Sequence, residues 1–308
     1  MGEETTVDWA SFIGRDLGNV TIVKELGRGA MGVVFVGFQK TLKRQVAVKV
    51  LHKARLRGRS ALTLFRDEGE ALAVLNHPNI IPIYEMGETD ECFFQVMQLV
   101  DGSDLRTIIK RTHNHPLPSK RLIPLDTGLE IVENALSGLA YAHEEGVIHQ
   151  DVKPANILVE KRDGRPLIAD FGIARIFDAE YGSSGNVVGT PLYMAPEQAA
   201  AKPTDGKADI YSMGVILFEI AAGALPVKEE PVALMLERKK YAPETFFTVA
   251  PGRAAPRIDP RLERIILKAL SPDAGNRYAR CDAFIADLKD YRRQENARPV
   301  QPQMGRLP

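Results

Sequence analysis

The stretch from His149 to Asn156, H-Q-D-V-K-P-A-N, gathers a carboxylate (Asp151), an ammonium (Lys153) and a side-chain amide (Asn156) in one irregular segment next to the apolar run I-L-V. Such a grouping is dense polar chemistry for one short segment. A surface loop can hold the same residue types, but apolar strands on both sides argue against full solvation. A second carboxylate, Asp170, sits in A-D-F-G after the strand-like P-L-I-A. Upstream, Lys49 ends the alternating strand V-A-V-K, where its charge is hard to place, although the surface is the commoner fate of a single lysine. In G-R-G-A-M-G-V-V, Gly27, Gly29 and Gly32 open a turn that lets backbone approach phosphate oxygens closely. The same spacing marks dinucleotide-binding folds, but there it leads into a helix with an acidic residue about 20 positions on. Here it leads into V-V-F-V. A glycine-rich hairpin without a ligand stays open at this point.

These residues need elements to hold them. From about residue 20 to 50 the chain alternates β-branched residues and glycines, which predicts short antiparallel strands. Between Ser60 and Asn76, the residues Phe65, Glu68, Leu72 and Leu75 recur at helical spacing, so Glu68 lies on an apolar stripe. A carboxylate facing a core needs a cation, and Lys49 is the candidate. Another strand-like run, Phe93 to Val100, ends in D-G, and the chain then changes from strands to helices. Helices are expected at 126–144, 206–223, 260–270 and 280–292, and Lys110 to Pro124, with its prolines and histidines, as a surface loop and not a metal site.

Forty basic residues balance forty acidic ones, so charge gives no case for a nucleic-acid or anionic-membrane partner. Cys92 and Cys281 are far apart and lack metal-ligand spacing, which fits a reducing compartment. The most apolar stretch, Met213 to Leu225, is broken by Glu219 and reads as a buried helix, not a membrane span. No secretory pattern opens the chain, although Met1, Gly2 and Thr6 match the letters of a myristoylation site. The expected location is cytoplasmic.

In this order and at these separations, the four motifs resemble the signature set of eukaryotic-type protein kinases, in a style similar to bacterial members. The resemblance extends through G-T-P-L-Y-M-A-P-E, D-I-Y-S-M-G and N-R-Y, covering roughly residues 20–292. It implies an α+β, two-lobed fold with a small antiparallel β-sheet lobe and a mainly helical one. The expected division is an N-terminal extension (1–19), a kinase domain (20–293) with N-lobe 20–97, hinge 98–101 and C-lobe 102–293, and a disordered tail (294–308). By resemblance, Gly27, Gly29 and Gly32 cover the phosphates of ATP, and Lys49, held by Glu68, contacts them. Asn156 and Asp170 hold Mg2+, Asp151 is the base, and Lys153 steadies the transferring group. Val34, Ala47, Met97 and Leu158 wall the adenine pocket, with Met97 as gatekeeper, Gln98 to Val100 as hinge and Asp104 at the ribose.

Scaffold roles carry over as well. Glu197 and Arg277 resemble the ion pair that anchors the activation segment, and Asp209 the brace of the catalytic loop. Lys153-Pro154-Ala155 and Thr190 are similar to the serine/threonine class, which implies transfer to hydroxyls of protein substrates. A small-molecule phosphotransferase is disfavoured by A-P-E, which belongs to peptide docking. A pseudokinase scaffold that binds ATP without turnover is the alternative, and the full catalytic set argues against it. One departure stands out, because the family's arginine before the catalytic aspartate is Gln150 here. That arginine helps pair a phosphate on the activation loop, so the dependence on phosphorylation of Ser183, Ser184 or Thr190 is what the departure affects.

Overall fold

A computed structural model of the chain describes residues 7–29, 32–53, 74–171, 191–255 and 258–297. Glu68, the activation-loop residues Ser183, Ser184 and Thr190, and the myristoylation letters lie outside the described residues. Of the helix expected between Ser60 and Asn76, only 74–76 are described, and these are non-helical, with Leu75 buried in the large core.

The first half builds a six-stranded antiparallel sheet in the order β1-β2-β3-β4-β6-β5. Its strands are β1 (Asp16–Leu17), β2 (Val20–Gly29), β3 (Gly32–Gln39), β4 (Arg44–His52), β5 (Ile83–Glu88) and β6 (Cys92–Gln98). Alternation along β4 sends Val46, Val48 and Val50 into one apolar cluster with Val20, Phe35 and Phe94. The residues expected as an extension contribute to this cluster too. Asp8 caps a 3-10 turn, Trp9–Phe12, by accepting from the Ala10 N–H, and Phe12 stacks on Phe35 with ring centroids 6.1 Å apart. Trp9 is 6% exposed. Trp9→Ala is therefore expected to lower stability by about 3–5 kcal/mol, measured as a lower midpoint of urea unfolding; a loss under about 1 kcal/mol would mean that the segment only rests on the sheet.

The second half is helical around a small sheet, β7 (Gly102–Asp104), β8 (Ile157–Glu160) and β9 (Pro166–Ile168). The described helices are α1 (Leu105–His113), α2 (Leu125–Glu144), α3 (Pro196–Ala199), α4 (Lys207–Ala222), α5 (Val232–Tyr241), α6 (Pro251–Ala254), α7 (Pro260–Ala269) and α8 (Cys281–Asn296). Residues on nearly every face of α4 are buried, as an all-round apolar helix requires, and Gly223 ends it at φ +84°, a left-handed cap that suits glycine. The Ile168 N–H donates to Asn79 O and the Ile81 N–H to Ile168 O, both at 2.9 Å, which ties β9 to the approach to β5. Among the described residues no helix is long and apolar enough to cross a membrane.

Two expectations are corrected. Lys110 to Pro124 is not all loop, because α1 runs through His113. Asp104 caps its first turn, and Lys110, Arg111 and His113 put positive charge at its C-terminal end, where the helix dipole favours it. At the other end of the lobe, α8 reaches Asn296 instead of ending near 292. Arg292 pairs with Asp126 (2.8 Å) and Glu133 (3.1 Å) on α2, and Glu295 pairs with Arg261 on α7, so the last turn has partners to hold it.

Candidate active site

Period-2 geometry decides which β4 residues can face a ligand. Val46, Val48 and Val50 point into the N-terminal core, so Ala47 and Lys49 face the opposite side. There Ala47 joins Met97, Ile81 and Leu167 in a separate apolar cluster, with Val34, Leu99, Val100 and Leu158 packed against it. The expected adenine-pocket walls are thus brought together in one slot. Gln98 ends β6, and its backbone N–H donates to Pro82 O at 3.1 Å.

Above the slot, β2 and β3 form a hairpin in which Gly29 lies opposite Gly32, with residues 30–31 outside the described set. The glycines serve different ends. A Cβ on Gly32 would lie 2.2 Å from Val50 O, so this position is glycine because β4 passes too close. A Cβ on Gly27 would meet nothing within 4 Å, and one on Gly29 only Gly32 O at 3.9 Å. The backbone at Gly27 and Gly29 is left bare to whatever lies under it.

Lys49 is 5% exposed, and its Nζ pairs with Asp170 Oδ1 at 2.7 Å. Its expected partner Glu68 is outside the described residues. Burial pushes the Asp170 carboxyl up, but the Lys49 charge and hydrogen bond, helped by Lys153, outweigh it and hold the group below the usual carboxylate value. In the loop from His149 to Asn156, Lys153 Nζ donates to Asp151 Oδ2 at 2.6 Å. The Asn156 amide nitrogen donates to Asp151 O (2.9 Å) and Oδ2 (3.2 Å). With its N–H groups committed, Asn156 has its amide oxygen as the remaining acceptor. Asn156 and Asp170 thus present a hard, all-oxygen donor set of the kind that suits Mg2+.

The loop hangs on a buried carboxylate. Asp209 accepts from the backbone N–H groups of His149 (Oδ2, 2.9 Å) and Gln150 (Oδ1, 2.8 Å), and pairs with His143 Nε2 at 2.8 Å. His149 Nδ1 accepts from the Asp151 N–H and its Nε2 donates to Ala169 O, so this hydrogen-bond pattern assigns a neutral ring protonated at Nε2. The ring packs 4.6 Å from that of Phe171. Gln150 and Asp170 both adopt the left-handed region, at φ +65° and +64°. Non-glycine residues hold such angles only where partners over-determine them, and here the partners are Asp209 and Lys49.

Asp104, expected at the ribose, accepts from the Thr107 N–H (2.9 Å) and hydroxyl (2.7 Å). Its carboxylate is the N-cap of α1. Glu197 and Arg277 form the expected pair through two parallel bonds of 2.7 and 2.8 Å. Sequence reasoning passed over three partners of the segment 191–195. Gln198 accepts from the Ala195 N–H and donates to Gln150 O, Tyr193 OH donates to Glu219 at 2.6 Å, and Lys239 contacts Leu192 and Met194. Glu219 had a signal, as the one charge interrupting an apolar run. Burial raises its carboxyl above the usual value despite the Tyr193 bond and nearby Arg106.

The family model described as protein kinase domain matches residues 20–287. The chain belongs to the protein kinase family. It is 37% identical over 308 residues to the serine/threonine-protein kinase pkn3 of Myxococcus xanthus, covering 95% of this chain and 54% of that protein. It is also 37% identical over 272 residues to the serine/threonine-protein kinase PknB of Mycolicibacterium smegmatis, covering 85% of this chain and 41% of that protein. The chain thus spans about half or less of the length of these curated relatives. Among solved structures, the Mycobacterium tuberculosis PknI kinase domain superposes with a TM-score of 0.70 at 28% identity, over 90% of this chain and 98% of that one. The kinase fold expected from sequence, with its antiparallel N-lobe and helical C-lobe, is the fold observed.

Proposed function

We propose that this kinase transfers the γ-phosphoryl group of ATP to serine or threonine hydroxyls of protein substrates. The observation that carries the reading is the meeting of Asp151, Lys153 and Asn156 within hydrogen-bond reach of one another, beside the Lys49–Asp170 pair. The Asp151 carboxylate takes the acceptor proton as the hydroxyl oxygen forms its bond to the γ-phosphorus, while the bond from that phosphorus to the β–γ bridging oxygen breaks and ADP leaves with the electron pair. Lys153, already on Asp151 Oδ2, is close enough to shield charge on the transferring group. Lys49 would direct its ammonium to the nucleotide phosphates, under the bare backbone of Gly27 and Gly29, while Val34, Ala47, Met97 and Leu158 enclose the base and Gln98 to Val100 offer hinge backbone. Asn156 and Asp170 would hold magnesium, which when bound would supply positive charge to offset that of the phosphates. With Asp104 engaged by Thr107, a ribose contact there would share the cap carboxylate. The serine/threonine names of the two relatives support the acceptor class. A cytoplasmic setting, with ATP at hand, belongs to the same reading.

The test is transfer of label from ATP, with magnesium, to a generic basic protein by the wild type, Asp151→Asn and Asp170→Ala. Transfer by the wild type alone is expected. No transfer by the wild type would favour a scaffold, and equal label in all three would point to a contaminating kinase.

Gln150 carries no charge to pair with a phosphate, and its amide donates to Thr204 Oγ1 at 2.9 Å. Phosphatase treatment, or Ser183→Ala with Ser184→Ala, is therefore expected to change turnover by less than about threefold, against the orders of magnitude at stake in a phosphate-ordered loop. Loss of turnover on either treatment would overturn this.

A further inference from the structure

Lys239, on α5, has 0% of its surface exposed. Lysine is almost never buried so completely without a defined task. Its Nζ donates to Leu192 O at 2.7 Å and to Met194 O at 2.5 Å, 4.2 Å from the ring centroid of Phe246 and 5.0 Å from that of Tyr211. Between those carbonyls, Tyr193 O accepts from Ser212 Oγ at 2.8 Å. Leu192 to Met194 lie in turn and irregular backbone, so three successive carbonyls find their donors on side chains of α4 and α5. Lys239 supplies two of the three. Burial, and Arg277 nearby, lower its proton affinity well below that of a free lysine, with Glu197 opposing. Protonated or not, an amine keeps at least two N–H bonds, enough for both carbonyls.

We propose that Lys239 is a positioning residue for protein-acceptor binding. It acts as a buried strut that fixes the path of residues 191–195 and leaves nucleotide handling untouched. The proposal rests on the protein-kinase reading, since this segment carries the motif that resembles the peptide-docking apparatus. In the described residues the hydrogen-bond partners of Lys239 are these carbonyls, whereas Lys49 and Asp170, read as nucleotide and metal residues, pair with each other. Lys239→Met fills the space and strands two buried carbonyls without donors.

The experiment compares wild type and Lys239→Met with Mg-ATP and a generic basic protein. It measures KM and kcat for the acceptor, KM for ATP, acceptor-independent ATP hydrolysis and amide hydrogen exchange over 191–199. In the variant the acceptor KM is expected to rise about tenfold, from the loss of two ordinary hydrogen bonds, and exchange over 191–199 to accelerate. KM for ATP and ATP hydrolysis should stay within about twofold, as contacts not touched by the change predict. An unchanged acceptor KM with unchanged exchange overturns the proposal. So does a parallel fall of ATP hydrolysis and acceptor phosphorylation, which would make Lys239 a general support of the fold. If Lys239→Met does not fold, Lys239→Gln, which keeps donors of its own, is measured the same way; acceptor and ATP kinetics that move together in it overturn the proposal as well. A wild type that hydrolyses ATP but labels no protein overturns the kinase reading and this assignment together.

Discussion

Asp151→Asn is expected to lower kcat by about 10²–10⁴-fold, the range for removing a positioned general base, while nucleotide affinity stays within about threefold because binding contacts made elsewhere are unaffected. The substitution keeps the side-chain shape, so its effect is chemical. The amide cannot take the acceptor proton, and Lys153 loses the anion it pairs with at 2.6 Å. Asn156, which donates to both Asp151 O and Oδ2, retains its backbone partner, so the loop should keep its course. Steady-state phosphorylation gives kcat, and nucleotide titration gives affinity. A kcat within tenfold of wild type would remove Asp151 from the role of base.

A large stability effect is expected at Arg277. Its side chain is 0% exposed, and all five of its N–H donors are placed. Two go to the Glu197 carboxylate and the others to the carbonyls of Ser271, Lys207 and Pro272. Arg277→Met leaves Glu197 as a half-buried anion without its counter-charge and three carbonyls without donors. The expected loss is about 3–5 kcal/mol, typical of breaking one side of a buried pair. Adding Glu197→Leu should restore part of it, because replacing both charges with apolar groups removes the stranded anion. Urea unfolding of both variants decides the point. A double variant less stable than Arg277→Met would mean that Glu197 has found other partners.

The fold was legible where period and punctuation were strong. The alternation Q-V-A-V-K-V gave β4, and with it the opposite faces of Val48 and Lys49. The apolar run from Met213 gave the buried helix α4. Helix α1 was hidden because His113 and the prolines after it look like loop, although Asp104 with Thr107 three positions on is an N-cap pattern. Trp9 and Phe12 fall within the expected extension, where four residues show no period and burial depends on the sheet that follows. Lys239 was invisible for another reason. In E-R-K-K it looks like a solvated helix face, and its carbonyl partners lie 47 and 45 positions away in sequence. Such contacts come from tertiary packing, which no local pattern records. In the site, motifs marked Asp151, Lys153, Asn156 and Asp170, but not that Gln150 turns toward Thr204.

Asp209 begins inside α4 and carries the backbone of His149 and Gln150 on its two oxygens. Its place is the interior of the large lobe, at 0% exposure. Catalytic segments are often drawn from the least stable parts of a fold, where they open and close by themselves. The segment from His149 to Asn156 is tied instead to a helix buried on nearly every face, so it cannot open without disturbing that helix. The geometry of this segment and the cohesion of the lobe therefore belong to one cooperative unit.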